Sequence, residues 1–198
     1  MDNYNTISSG FQEVIELISV SVDQLEGPLQ RAAAMSTDAL LAEHKILCCG
    51  NGPGAAVAQL FSIGLVHRFE QERPALPASC LSSDGGTLSA LATSIGSQEI
   101  YSRQVRALGQ AGDILLGVAA GEGNGAIIQA IRAAHDRNMG VIILSGGDCA
   151  DISSLLVEED IEIHVPSASA ARVIELQTMI VHGLCKLIDQ TLFGTYEQ

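Results

Sequence analysis

Five short apolar runs alternate along this chain with stretches of helical period. The runs are Ile46–Cys49, Leu76–Leu81, Ile114–Val118, Val141–Leu144 and Ile161–Val165; the helical stretches include Ala55–Phe69, Ile127–His135 and Arg172–Leu192. Runs as apolar as Ile46–Cys49, Ile114–Val118 and Val141–Leu144 suit strands buried on both faces, and such strands occur in parallel sheets covered by helices. The pattern predicts an α/β three-layer sandwich around one five-stranded parallel sheet. Ahead of it, Val14, Ile15, Ile18, Leu25, Leu29, Ala32, Leu40 and Leu41 recur at helical spacing, with Gly27-Pro28 as a break, which predicts an N-terminal helical hairpin. No repeat, linker or low-complexity tract interrupts the pattern. A single domain over 1–198 follows, with a helical extension over 1–44 and the α/β core over 45–198.

Charge and composition then narrow the function. Ten Lys+Arg against 23 Asp+Glu leave a formal charge of −13, so the chain has no electrostatic footprint for phosphate backbones or anionic lipid. Neither direct nucleic-acid binding nor membrane association is expected. The start MDNYNTISSG lacks a basic stretch followed by an apolar one, and the apolar runs are too short to span a bilayer, so a cytoplasmic protein is expected. Cys48, Cys49, Cys80, Cys149 and Cys185 are odd in number, lie in or beside apolar runs and form no C-x-x-C pair. That usage reads as reduced, mostly buried thiols, with neither structural zinc nor a catalytic thiol favoured.

In a parallel sheet, ligands bind where strands end and helices begin, because helix N-termini present free N–H groups and a positive dipole end. Three segments fall there: Gly50-Asn-Gly-Pro-Gly54, Ser82-Ser-Asp-Gly-Gly-Thr87 and Ala119-Ala-Gly-Glu-Gly-Asn124. They supply the candidate ligand-binding residues Asn51, Gly52, Ser82, Ser83, Asp84, Thr87, Gly121 and Asn124. Ser82, Ser83 and Thr87 read more readily as turn and cap residues than as hydroxyl donors to a ligand. The Gly-x-Gly turn suits a phosphate or a dinucleotide, but Asp84 falls thirty residues beyond Gly54, past the usual place of a ribose-binding acid. No P-loop sequence is present.

Lys45-Ile-Leu-Cys-Cys-Gly-Asn-Gly52, Arg68-Phe-Glu-x-Glu-Arg-Pro74, Leu76-Pro-Ala78, Gln104-Val-Arg-Ala-Leu-Gly109 and Ala111-Gly-Asp113 together resemble the sugar isomerase (SIS) family, in its phosphoheptose isomerase branch. Asp160-Ile-Glu-Ile163, Pro166-Ser167 and the tail Leu184–Phe193 resemble most closely the DiaA-like proteins of that branch, which associate with the replication initiator DnaA. The resemblance implies a flavodoxin-like five-stranded sandwich and a homotetramer with sites between subunits.

In the isomerases the resemblance places a His and, four residues on, a Glu on the helix after the glycine turn, then a Gln and a His eight residues apart on the last helix. Here those positions are Leu60 and Gly64, then Ile174 and His182. Of the four, only His182 keeps a ligand, and it reads more readily as a histidine tucked into an apolar helix. One ligand cannot hold a catalytic metal. The Ser/Thr-rich run that binds the sugar phosphate is replaced by Ala119–Asn124, where Glu122 would repel an anion. The expectation is a site without catalytic residues or metal, with any sugar phosphate held weakly. The function expected is a non-catalytic, DiaA-like tetramer that binds DnaA and promotes its assembly at the origin. Leu192 and Phe193 would serve as partner contacts, or as a helix end packed on a neighbouring subunit. The alternatives are a phosphoheptose isomerase converting sedoheptulose 7-phosphate, with zinc as its cofactor, or an orphan sugar-phosphate-binding paralogue.

Overall fold

The computed structural model describes residues 3–121 and 123–194. Five strands form one parallel sheet, β1 (Ile46–Gly50), β2 (Ala78–Cys80), β3 (Ile114–Val118), β4 (Gly140–Gly146) and β5 (Ile161–Val165), in the order β2-β1-β3-β4-β5. Helices α1 (Asn3–Leu41), α2 (Pro53–Val66) and α7 (Ala170–Phe193) cover one face. Helices α4 (Ile100–Leu108), α5 (Gly125–Asp136) and α6 (Ala150–Ser153) cover the other, with α3 (Gly85–Ser94) and a 3-10 turn (Ser97–Glu99) at its margin. Every residue of β1 and β3 is buried, and alternate residues feed opposite cores. Ile46, Cys48 and Leu116 pack toward Phe61, Val181 and Ile188, while Leu47, Cys49 and Leu115 pack toward Ile127, Ile131 and Val105. The three-layer sandwich is therefore as the apolar runs predict.

The N-terminal hairpin is not. Helix α1 is continuous through Pro28, where a break was expected. Leu17, Ser21, Leu25, Ala32, Ser36 and Ala39 are buried in one stripe that crosses the proline without changing face, and Leu29 beside it packs on the core. An interior proline forfeits one backbone bond and costs about 3 kcal/mol, which burial of several side chains on both sides offsets. At 1.5 Å per residue the 39-residue helix is about 58 Å long. Its first half leaves Tyr4, Ile7, Phe11 and Ile15 exposed, while Arg172 of α7 donates to the Gly10 carbonyl at 2.8 Å. The predicted strand over Leu76–Leu81 also shortens to three residues, because Pro77 has no N–H and that of Leu76 goes to the Leu65 carbonyl at 3.0 Å.

Several residues of the sequence motifs hold elements together. The Asp113 carboxylate accepts the Lys45 and Gln110 amides at 3.0 and 2.8 Å and the Lys45 ammonium at 2.6 Å. Burial raises its pKa, but these hydrogen bonds and the lysine charge outweigh that and hold it below the ordinary carboxylate value. Arg73, fully buried, donates to Asp189 at 2.8 Å and to the Gly64 and Leu65 carbonyls at 2.5 and 2.7 Å, fastening the end of α2 to α7. Asp160 accepts the Val157 amide at 3.0 Å and pairs with His135 at 2.8 Å. All five cysteines are free, and all but Cys80 are buried. Burial pushes the thiols of Cys48 and Cys49 far up and that of Cys185 up to about 12, so they stay protonated at neutral pH.

Candidate functional site

The turn between β1 and α2 needs its glycines for packing. A Cβ on Gly50 would lie 2.4 Å from the Gly54 backbone, and one on Gly54 would lie 2.9 Å from the Val118 carbonyl oxygen. Gly52 has φ +51°, in the left-handed region. The turn is pinned from two sides. The Tyr101 hydroxyl donates to the Gly50 carbonyl at 2.6 Å, with Ser82 Oγ within 3.1 Å of the tyrosine oxygen, and Asn51 Nδ2 donates to the Gly123 carbonyl at 3.0 Å. Burial raises the Tyr101 pKa, so it remains a donor.

A cavity of about 680 Å³ opens beside this turn. Its walls are Asn51–Pro53, Ala119–Ala120, Asn124, and Ala170, Ala171, Ile174 and Glu175 from the first turns of α7. Two helix N-termini, those of α2 and α7, border it. Of the residues singled out in the sequence, the structure thus brings together Asn51, Gly52, Asn124 and Ile174. It does not bring Ser82, Ser83, Asp84 or Thr87 to this cavity. Ser82 is spent on Tyr101 and the Gly50 backbone, and Ser83 is exposed. Asp84 caps α3 by accepting the Thr87 amide at 3.0 Å and its hydroxyl at 2.6 Å, which lowers its pKa. Gly121 lines a neighbouring cavity, and Glu122 lies outside the described residues. Asn124 is committed inward: its amide donates to Asp151 at 3.2 Å and lies 3.7 Å from Cys149 Sγ.

Sequence reasoning gave two residues here no part in the site. Among the described residues Glu175 is the cavity's one carboxylate, and it pairs with Arg172 at 3.0 Å. Gln177, fully buried, donates to the Ala119 and Leu144 carbonyls at 2.9 and 3.2 Å and so ties α7 to the ends of β3 and β4. A polar residue on the buried stripe of an apolar helix was the available signal for Gln177.

The four positions that the isomerase resemblance marks do not converge into a donor set. Leu60 is 40% exposed on α2. Gly64 is buried against α7, where an added Cβ would sit 2.6 Å from Cys185 Sγ. Ile174 lines the cavity with an alkyl chain. His182, expected in an apolar pocket with its nitrogens satisfied, is instead exposed, its ring centroid 5.4 Å from that of Phe69. Among the described residues no three His, Cys, Asp or Glu side chains are placed to hold a metal ion. The residues present do not fit a catalytic zinc.

A model of the SIS domain matches residues 11–146. This chain belongs to the SIS domain family. Across its full length the SIS chain is 44% identical, over 197 residues, to a phosphoheptose isomerase of Chromohalobacter salexigens, with 100% of both chains covered. It is 45% identical over 194 residues to that of Alkalilimnicola ehrlichii, covering 98% of this chain and 99% of the relative. Among solved structures, a phosphoheptose isomerase from Francisella tularensis superposes with a TM-score of 0.92 at 36% identity, covering 96% of this chain and 100% of that one. The phosphoheptose isomerase of Neisseria gonorrhoeae gives 0.89 at 34%, covering 94% and 98%.

These relatives overturn the expectation of a DnaA-binding adaptor and favour its alternative. The physical reason lies in the motifs that suggested it. Asp160 closes a turn, and Leu192 packs half-buried on the core, with only Phe193 left 39% exposed. Such residues hold the SIS sandwich together and carry no information about a partner. Among the described residues, no helix is long and apolar enough to cross a membrane.

Proposed function

We propose that this SIS chain binds a phosphorylated sugar, of the phosphoheptose kind named for its relatives, in the cavity between the glycine turn and α7, and that it does so without isomerising it. The observation that carries the reading is the cavity itself. It lies at the carboxyl ends of β1 and β3, falls within the roughly 300–1,000 Å³ of small-molecule sites, and is bordered by two helix N-termini suited to an anionic group. Asn51 and Glu175 offer polar contacts to hydroxyls.

Isomerisation needs a base at the carbon that loses its proton and polarisation of the carbonyl. The positions marked by the resemblance hold Leu60, Gly64 and Ile174, none of which can do either. The relatives' isomerase names favour the second reading, turnover of sedoheptulose 7-phosphate. One experiment separates the two: titration calorimetry of the purified chain with sedoheptulose 7-phosphate, with product followed by NMR in the presence and absence of zinc. Saturable binding with no product is the expected result. Protein-dependent product would establish the isomerase instead, and the lack of any saturable heat or product would remove both readings.

A further inference from the structure

Next to the first cavity lies a second, of about 770 Å³, over the carboxyl ends of β4 and β5. The two share Ala120 and Ala170 as a common wall. Into the second face His164, Asp148 and Ser167. None of these has a part in the reading above.

His164 sits at the open end of a hydrogen-bonded chain. In the β4–β5 ladder it is the register partner of Ser145, which is fully buried. Ser145 Oγ lies 2.5 Å from Glu162 Oε1 and 2.9 Å from His164 Nδ1, and Glu162 Oε1 also accepts the Ser153 hydroxyl at 2.9 Å. Proton counting fixes the arrangement. An ionised carboxylate only accepts, so Ser145 gives its single proton to Glu162. The serine oxygen must then accept from His164, which places the imidazole proton on Nδ1. In the neutral imidazole Nε2 then carries the lone pair, on a residue that is exposed and lines the cavity.

We propose that this cavity is a second subsite of the same ligand site, taking the polyhydroxylated end of the sugar, with His164 Nε2 as a fixed hydrogen-bond acceptor for one of its hydroxyls. The inference rests on the sugar-phosphate reading of the first cavity. The shared wall lets one extended ligand occupy both. The chemistry also sets the direction: the Nε2 lone pair and the Asp148 carboxylate call for O–H donors, whereas Glu175 in the first cavity is paired with Arg172 at 3.0 Å beside the helix N-termini, so the phosphate end belongs in the first cavity.

The test uses the full chain with ring-labelled histidine at pH 8. Nitrogen NMR should find His164 protonated on Nδ1, and Ser145→Ala should release it toward the Nε2–H form. Sedoheptulose 7-phosphate should then shift both the His164 Nε2 resonance and the methyl resonances of Ile174, which report the second and first cavities. His164→Phe, at an exposed position, should weaken binding about tenfold, the scale of one lost hydrogen bond, and leave the Ile174 response intact at saturation. An Ile174 shift without one at His164, or undiminished affinity in His164→Phe, overturns the subsite and leaves the first-cavity reading standing. A ligand that moves neither resonance overturns both. A shift at His164 alone overturns the shared site, because the second cavity then binds without the first.

Discussion

The contact between Gly64 and Cys185 decides more than any other at the level of single residues. A carboxylate at position 64 would need the Cys185 sulfur to leave a core in which that side chain is 1% exposed. Overpacking of this kind costs about 1–3 kcal/mol. Gly64→Glu should therefore lower the melting temperature by several degrees, at about 2–4 °C per kcal/mol for a chain of this size, and should not create turnover. Adding Cys185→Ala should recover part of the loss, with a coupling of about 0.5–3 kcal/mol in a double-mutant cycle followed by thermal denaturation. Strictly additive effects would show that sulfur and carboxylate do not compete for one space. The sequence marks position 64 as lacking a base. That a thiol fills the space is not legible there, because the two residues lie far apart in the chain.

At the scale of elements, Arg73 joins the end of α2 to α7. Its guanidinium satisfies two terminal carbonyls of α2 while pairing with Asp189, and both side chains are nearly inaccessible to water. Removing one member of a buried pair strands the other charge and costs about 3–5 kcal/mol. Arg73→Ala should show a loss of that size in urea unfolding, with an m-value change if α2 frays before the sheet; a loss under 1 kcal/mol would mean that water already reaches Asp189. Periodicity made strands and long helices legible, since β1, β3 and β4 carry unbroken apolar runs, β5 alternates, and α2, α5 and α7 repeat apolar residues at helical spacing. It failed for α3 and α4, short and weakly buried, and for α1. There the local rule for Gly27-Pro28 gave way to a buried stripe that runs past it, and that stripe is defined only by α7 and β5 packed beneath.

The apolar surface left over belongs to the whole molecule. Tyr4, Ile7, Phe11 and Ile15 on α1, Leu60, Ile63 and Val66 on α2, and Met179 on α7 are all exposed in the single chain. The homotetramer expected from the sequence would cover such positions. Sedimentation should give a species of four chains, and Ile63→Asp, at a side chain 50% exposed in the monomer, should shift it toward smaller species without loss of helical signal. A monomer at micromolar concentration would overturn that expectation. The end of the sheet on which both cavities open was legible from the alternation of strands and helices, but the residues that face them were not. The segments after β1 and β3 carry glycines that packing requires, while the histidine, serine and glutamate of β4 and β5 reach their positions only through strand register. Finally, the sulfur beside Gly64 makes two positions far apart in the chain a single choice. Any larger side chain at 64 requires a smaller one at 185, so neither position is free to change alone.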